Sequence, residues 1–185
     1  MNVGSKFAAP EFEALRARAR KIRLLTCDVD GVLTDGRIYF NDEGIEARAF
    51  HASDGLGIKL LLRAGIRVAW ITGSKAMAVE HRAKVLGVEH VARDAFDKTI
   101  PWRALREKLN IPTEACAHIG DDFPDLPLLR ASGLSVTVPH APGELKRAAH
   151  YVTETPGGLG AVRELCNLIL IAQNLSFDGE TLRSA

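Results

Sequence analysis

The chain has 185 residues, 46% of them apolar and 25% charged, which suits one globular domain with a core of its own. Its 24 Lys and Arg nearly balance its 23 Asp and Glu, so there is no basic field to favour nucleic acid or an anionic membrane. Cys27, Cys116 and Cys166 are scattered without CxxC spacing, no apolar run reaches spanning length and the N-terminus lacks a secretion signal, so a reducing, cytoplasmic setting is expected.

Met1–Pro10 reads as a loose tail and Glu11–Lys21 as a polar, Arg-rich helix, an N-terminal segment of residues 1–21 ahead of the main domain. Ile22–Cys27 is a short apolar run of the kind a buried strand shows. Arg37–Phe40 and Ile45–Phe50 flank the turn-forming Asn41–Gly44 and read as a β-hairpin. A helix over Asp54–Arg63 closes at Gly65, followed by a strand at Arg67–Ile71, a helix over Lys75–Leu86 ending at Gly87, and a weak strand at Val88–Ala92. A helix over Lys98–Leu109 stops before Pro112; strand Cys116–Ile119, helix Asp125–Ala131 and strand Leu134–Val138 come next. A short helix near Gly143–Ala149, a strand at Tyr151–Thr153 and a helix over Leu159–Asn174 complete a domain spanning 22–175, with 176–185 as a short polar tail. Strands alternating with helices of this length predict βαβ crossovers, hence an α/β fold with a Rossmann-like, doubly wound, mainly parallel sheet and a small β-hairpin insertion.

Open sheets of this kind bind ligands beyond the carboxyl ends of their strands. The first apolar run is followed by Asp28-Val29-Asp30-Gly31-Val32-Leu33-Thr34, the run at Arg67–Ile71 by Thr72-Gly73, the weak strand by a loop to Lys98, and Cys116–Ile119 by Gly120-Asp121-Asp122 with Asp125 beyond. Carboxylates so gathered cannot all stay ionised without a cation, and an oxygen-only donor set suits Mg²⁺. A carboxylate beside that ion can attack phosphorus, and a second carboxyl two residues on can exchange protons with the leaving group and with water. A hydroxyl and an ammonium would hold phosphoryl oxygens. Asp121 and Asp122 could also serve as a helix N-cap pair, a use compatible with metal ligation. The six histidines lack HxxxH or HExxH spacing, which argues against zinc, and neither Asp54–Gly57 nor Gly157–Gly160 forms a dinucleotide fingerprint. Gly157–Gly160 reads instead as the N-terminus of the last helix, where free amides could meet an anion.

Asp28–Thr34 (DVDGVLT), Thr72, Lys98 and Asp121–Asp125 (DDFPD) resemble the four ordered motifs of haloacid dehalogenase-type phosphatases, over nearly all of Ile22–Gln173. By position, the resemblance implies Asp28 as nucleophile and Asp30 as general acid/base, with Thr72 and Lys98 on the phosphoryl group. It implies Mg²⁺ held by Asp28, the Asp30 carbonyl and Asp121, with Asp122 and Asp125 in support. Only about 37 residues separate Asp35 from Thr72, so no cap domain is expected. A capless site is open to water, which makes a neighbouring subunit the expected cover and the Arg37–Phe50 hairpin its contact.

Asp28–Gly36, Asp54–Ile58, Ile71–Gly73, Arg82 with Leu86-Gly87, and Gly157–Glu164 are similar, more closely, to the 3-deoxy-D-manno-octulosonate 8-phosphate phosphatases. That family implies a capless homotetramer acting on a sugar phosphate of lipopolysaccharide synthesis. It implies substrate contacts at His51, Ala52, Ser53, Asp54 and Gly55, at Lys59, Ser74 and Arg82, and at Asp30 and Lys98, with a C-terminal tail that reaches an adjacent site. The chain departs from the family pattern at Ser74, where Arg is frequent, and at His51 and Ser53, where Asn and Arg occur. A hydroxyl suits a sugar carboxylate less well than a guanidinium fork. Another acidic sugar phosphate, such as 2-keto-3-deoxynonulosonate 9-phosphate, keeps the same chemistry. A noncatalytic assembly module is the alternative of a different class, and the intact acidic cluster argues against it.

Overall fold

The computed structural model describes residues 6–175. Six strands form one parallel sheet: β1 (Leu24–Cys27), β4 (Arg67–Ile71), β5 (His90–Ala92), β6 (Cys116–Ile119), β7 (Leu134–Thr137) and β8 (Tyr151–Val152). Between β1 and β4 in the chain, β2 (Tyr39–Phe40) and β3 (Glu46–Ala47) pair antiparallel as a separate hairpin. The helices are α1 (Glu13–Ala19), α2 (Ala52–Arg63), α3 (Met77–Leu86), α4 (Thr99–Leu109), α5 (Leu126–Ala131), α6 (Gly143–Ala148) and α7 (Ala161–Ala172).

The sheet order is β5-β4-β1-β6-β7-β8, so the chain starts in the middle, builds outward one way, then returns and builds the other way. The reversal makes β1 the switch point, where open α/β sheets form their crevice. Register puts Cys27 beside both Trp70 and Ile119, so β1, β4 and β6 release their loops at one edge.

Alternation along the strands builds two cores. Leu25, Cys27, Val68 and Trp70 face one, packed with Ile58 and Leu61 of α2 and Leu165 and Ile169 of α7. Leu24, Ala69 and Ile71 face the other, with Trp102 of α4 and Leu128 of α5. Buried on both sides, β1 and β6 need the mainly apolar character that marked them in the sequence, and their two polar side chains, Thr26 and His118, pair with each other. Helix α4 ends at Asn110, which takes a left-handed conformation (φ 51°) two residues before Pro112.

Two expectations are corrected. The N-terminal segment is not loose where it is described: Lys6–Ala8 forms a 3-10 turn, and Phe7 is wholly buried, edge-on to Phe12 at 5.4 Å and to Tyr151 at 5.9 Å. Its partner Tyr151 lies far away in sequence, so no local pattern marks it. The hairpin is shorter than Arg37–Phe40 with Ile45–Phe50, because only two residues on each side stay paired. Between β1 and α2 it is the only strand or helix pair, and no cap domain is inserted there. The proposed C-terminal tail, 176–185, lies outside the described residues.

Candidate active site

Asp28 leaves β1 with its amide bonded to Ile119 O at 3.0 Å, which docks the start of the loop against β6. The amides of Leu33 and Thr34 both turn back onto Val29 O, at 2.9 and 3.0 Å, closing a tight turn. At its apex Gly31 has φ +86°, and a Cβ there would lie 2.0 Å from Asp121 Oδ2. Only glycine allows the β1 and β6 loops to approach this closely. Gly157 presses on the same turn from the other side, where a Cβ would lie 1.8 Å from Gly31 O.

A cleft of about 250 Å³ opens at this edge, lined by Asp28, Asp30, Thr72, Ser74, Lys98 and Asp121 among others. Lys98 is 4% exposed, and its Nζ donates to Asp28 Oδ1 at 2.6 Å and to Asp125 Oδ1 at 2.7 Å. Asp28, Asp121 and Asp125 each offer an oxygen within 4.8 Å of the others. Burial and the Asp125 charge push the carboxyl of Asp28 well above the usual range, against the pull of Lys98. Asp121 is raised by the same two causes in the same order. Burial would also raise Asp125, but the hydrogen bond from His118 and the charge and hydrogen bond of Lys98 bring it below the usual value. Lys98 is raised despite burial, because Asp28 and Asp125 flank it. One ammonium among three carboxylates is short of positive charge. A site built only of oxygens, two of them reluctant to ionise, fits a small hard divalent ion.

The residues expected at the strand ends therefore converge. Thr72 is buried, its Oγ1 accepting from Ser74 N at 3.0 Å. Asp122 also lines the cleft and caps a turn: exposed, it accepts from Phe123 N at 2.8 Å and starts the 3-10 turn Phe123–Asp125. Asp125 is deeper than a supporting residue needs to be, inside the cluster and 1% exposed.

The expected substrate contacts divide. Asp30, Ser74 and Lys98 line the cleft, whereas His51, Ala52, Ser53, Lys59 and Arg82 are not among its lining residues. His51 and Ser53 are hydrogen-bonded to each other at 2.6 Å, Ala52 and Lys59 are exposed, and the Arg82 guanidinium lies 6.0 Å from the Phe50 ring centroid. Asp54 and Gly55 lie inside the chain and do not line the cleft either. Gly55 is packed under Arg82 and Leu86, and Asp54 is 1% exposed with Oδ1 accepting from Arg163 N at 2.7 Å. The amides of Gly160 and Val162 also point at Asp54, so the anion at the N-terminus of α7 is the chain's own carboxylate. Burial outweighs those amides and raises its pKa to about 6.

Sequence reasoning missed Arg48 and His118. Arg48 reaches Asp30 from beyond the hairpin, and its polar surroundings gave no sign of burial. His118 did carry a sign: an imidazole inside an apolar strand must be paired, and it bonds Asp125 Oδ1 at 3.0 Å and Thr26 Oγ1 at 2.9 Å.

A model of haloacid dehalogenase-like hydrolases matches residues 87–164. The 3-deoxy-D-manno-octulosonate 8-phosphate phosphatase of Yersinia pestis is 48% identical over 157 residues, covering 85% of this chain and 84% of that protein; the Escherichia coli K12 protein of the same name matches equally. Among solved structures, a hydrolase of subfamily III A from Legionella pneumophila superposes with a TM-score of 0.87 at 46% identity, covering 89% of this chain and 90% of the other. The Moraxella catarrhalis octulosonate 8-phosphate phosphatase, solved with magnesium, phosphate and KDO, superposes with a TM-score of 0.85 at 43% identity over 87% and 92% of the two chains.

Proposed function

The chain belongs to the 3-deoxy-D-manno-octulosonate 8-phosphate phosphatases, within the haloacid dehalogenase-like hydrolases, and from that premise we propose that it hydrolyses this sugar phosphate to the free sugar acid and phosphate. The observation that carries the reading is Lys98 bridging Asp28 and Asp125, with the Asp121 carboxylate within reach of both, at the switch point of the sheet.

Asp28 is the nucleophile: its carboxylate attacks phosphorus and the sugar alkoxide departs, leaving the phosphoryl group on Asp28. Asp30 gives a proton to that alkoxide, then takes one from the water that attacks phosphorus and frees Asp28. Lys98 and the Thr72 hydroxyl hold phosphoryl oxygens as charge spreads over them. Asp28, Asp121 and the backbone carbonyl of Asp30 would hold Mg²⁺, with Asp122 and Asp125 in support. Bound there, the ion would relieve the carboxylate repulsion and draw charge from the phosphoryl oxygens.

Ser74 supplies a hydroxyl at the mouth, and His51, Ala52, Ser53, Lys59 and Arg82 form a second group on the side of α2 and α3. Homotetramer assembly would cover this open edge. Ile38, Tyr39, Phe40 and Ile45 support it, since all four hairpin side chains are between 46% and 67% exposed in the single chain. Light scattering that returns a monomer at working concentration sinks the assembly. A cytoplasmic setting is supported by three cysteines that are free and buried, and no helix among the described residues is long and apolar enough to cross a membrane.

Phosphate release measured over a panel of sugar phosphates, with and without Mg²⁺, tests the function. The octulosonate 8-phosphate should exceed simple hexose phosphates, and equal rates would remove the specific assignment.

A further inference from the structure

Arg48 comes directly after β3, and its side chain is 1% exposed although the hairpin before it projects into solvent. One guanidinium ties three segments together. Nε donates to Asp30 Oδ1 at 2.5 Å, and Nη2 donates to Glu46 Oε1 at 3.0 Å and to Ser74 Oγ at 3.3 Å. Ser74 is fixed in turn, because its Oγ accepts from Ala76 N at 3.1 Å and its own amide donates to Thr72 Oγ1 at 3.0 Å. A buried guanidinium persists only where its donors are used, and the shortest bond here goes to a carboxyl of the cleft.

Asp30 is less constrained by packing than Asp28: its side chain is 29% exposed against 8%. A loop carboxyl left to itself would spread over rotamers, and proton exchange with a leaving oxygen demands one orientation. With Oδ1 tied to Arg48, the carboxyl is fixed about its Cβ–Cγ bond and Oδ2 is the oxygen left to meet the leaving group.

We propose that Arg48 is a positioning residue for Asp30, holding its carboxyl in register with the Thr72 loop and making the hairpin part of the proton-exchange apparatus. Arg48 touches no reacting atom and acts through Asp30. The inference rests on the reading of Asp30 as general acid.

Leaving-group dependence separates this role from damage to the fold. A sugar alkoxide needs a proton as it departs, whereas nitrophenolate leaves without one, so loss of the acid falls on alkyl phosphates. The parameter to compare is kcat/KM, which reports the steps through departure of the leaving group. For Arg48→Gln, kcat/KM on the sugar phosphate should fall about 30-fold and on p-nitrophenyl phosphate by less than about 3-fold, with Arg48→Lys recovering part of the difference. Asp30→Asn is measured alongside and should show the same selectivity more strongly. If Asp30→Asn is selective and Arg48→Gln lowers both substrates equally, or neither, the positioning role is overturned. If Asp30→Asn itself lowers both equally, the acid assignment fails and Arg48 loses its object.

Discussion

His118 and Lys98 meet on a single oxygen of Asp125: Nε2 lies 3.0 Å and Nζ 2.7 Å from Oδ1, while Oδ2 is buried with no hydrogen-bond partner among the described residues. Burial lowers the pKa of His118, so its ring is neutral and carries one N–H. The Asp125 carboxylate can only accept, which places that proton on Nε2, 3.0 Å from Oδ1. Asp125 thus takes its orientation from the imidazole and passes it to Lys98, which in turn holds Asp28. His118→Phe removes the Nε2 donor at similar volume and should lower kcat about tenfold, roughly 1.4 kcal/mol of barrier. His118→Gln, which keeps a donor, should retain most of the activity. Steady-state kinetics on the three proteins decide it, and a Phe variant as fast as wild type would sink the relay.

The crowding of Asp28, Asp121 and Asp125 has a thermal consequence. A cation that binds only the folded chain raises its stability, by about 2.7 kcal/mol at a hundred times the dissociation constant. Differential scanning fluorimetry should show the melting temperature rising with added Mg²⁺ and falling back with chelator. Asp121→Ala removes one repelling carboxylate that burial already disfavours, so without Mg²⁺ it should melt above wild type. It should also lose the response to Mg²⁺ and the phosphatase activity. A metal response that survives Asp121→Ala places the cation elsewhere.

Most of the site was legible because parallel strands buried on both faces force apolar runs, and each run ends where the chain reaches the ligand edge. Asp28 and Thr72 follow such runs directly and Asp121 follows after one glycine, so reading the first polar residues past these strands points to them, whereas Lys98, at the start of α4, is picked out only by its register among the ordered motifs. Arg48, His118 and Phe7 escaped because each owes its place to residues far off in the chain. Arg48 meets Asp30 and Ser74, His118 meets Thr26 across two strands, and Phe7 meets Tyr151. Asp54 is set apart for a related reason. It stands among residues similar to a substrate-binding stretch, yet the helix periodicity of α2 turns it inward to α7 while His51, Ala52 and Lys59 stay outside.

Asp54 also makes stability depend on pH. Its folded pKa is about 6, above the roughly 3.9 of an unfolded aspartate, so between these values the folded chain binds more protons than the unfolded one. Its contribution therefore weakens the fold as pH rises through that window, by an amount on the order of 2–3 kcal/mol when complete. Asp54→Asn keeps an oxygen for the Arg163 amide and cannot ionise. The stability difference between the variant and wild type should move in the variant's favour from pH 4 to about 6 and level off above it. Urea titrations at half-unit pH steps measure that difference; a gap that does not change with pH would contradict the burial argument.

Glu164 carries the opposite sign. It is 3% exposed and accepts from Lys6 Nζ at 3.0 Å, Tyr151 OH at 2.6 Å, the amides of Glu154 and Thr155 at 3.1 and 3.0 Å, and Thr155 Oγ1 at 2.7 Å. Burial alone would raise its pKa, but these donors, led by Tyr151, bring it below the usual value. Its contribution is therefore present above the unfolded pKa and lost as pH falls through the lower folded one. The same contacts pin the loop that leads from β8 to Gly157, which presses on the Gly31 turn, and they fasten the N-terminal segment to α7. Glu164→Ala strands a cluster of buried donors and should cost about 3–5 kcal/mol at neutral pH, the range for breaking a buried ion pair. Glu164→Gln, which keeps an acceptor, should cost less than half of that. Lys6→Met removes one partner and should cost least, since Lys6 is 24% exposed and solvent screens the pair. Denaturant midpoints for the three variants at pH 7.5 test the order, and a pH series carried down to about pH 3, well below the unfolded pKa, tests the charge. A Glu164→Ala penalty that persists undiminished at the acid end of that series would show that packing, and not the charge on Glu164, holds this corner together.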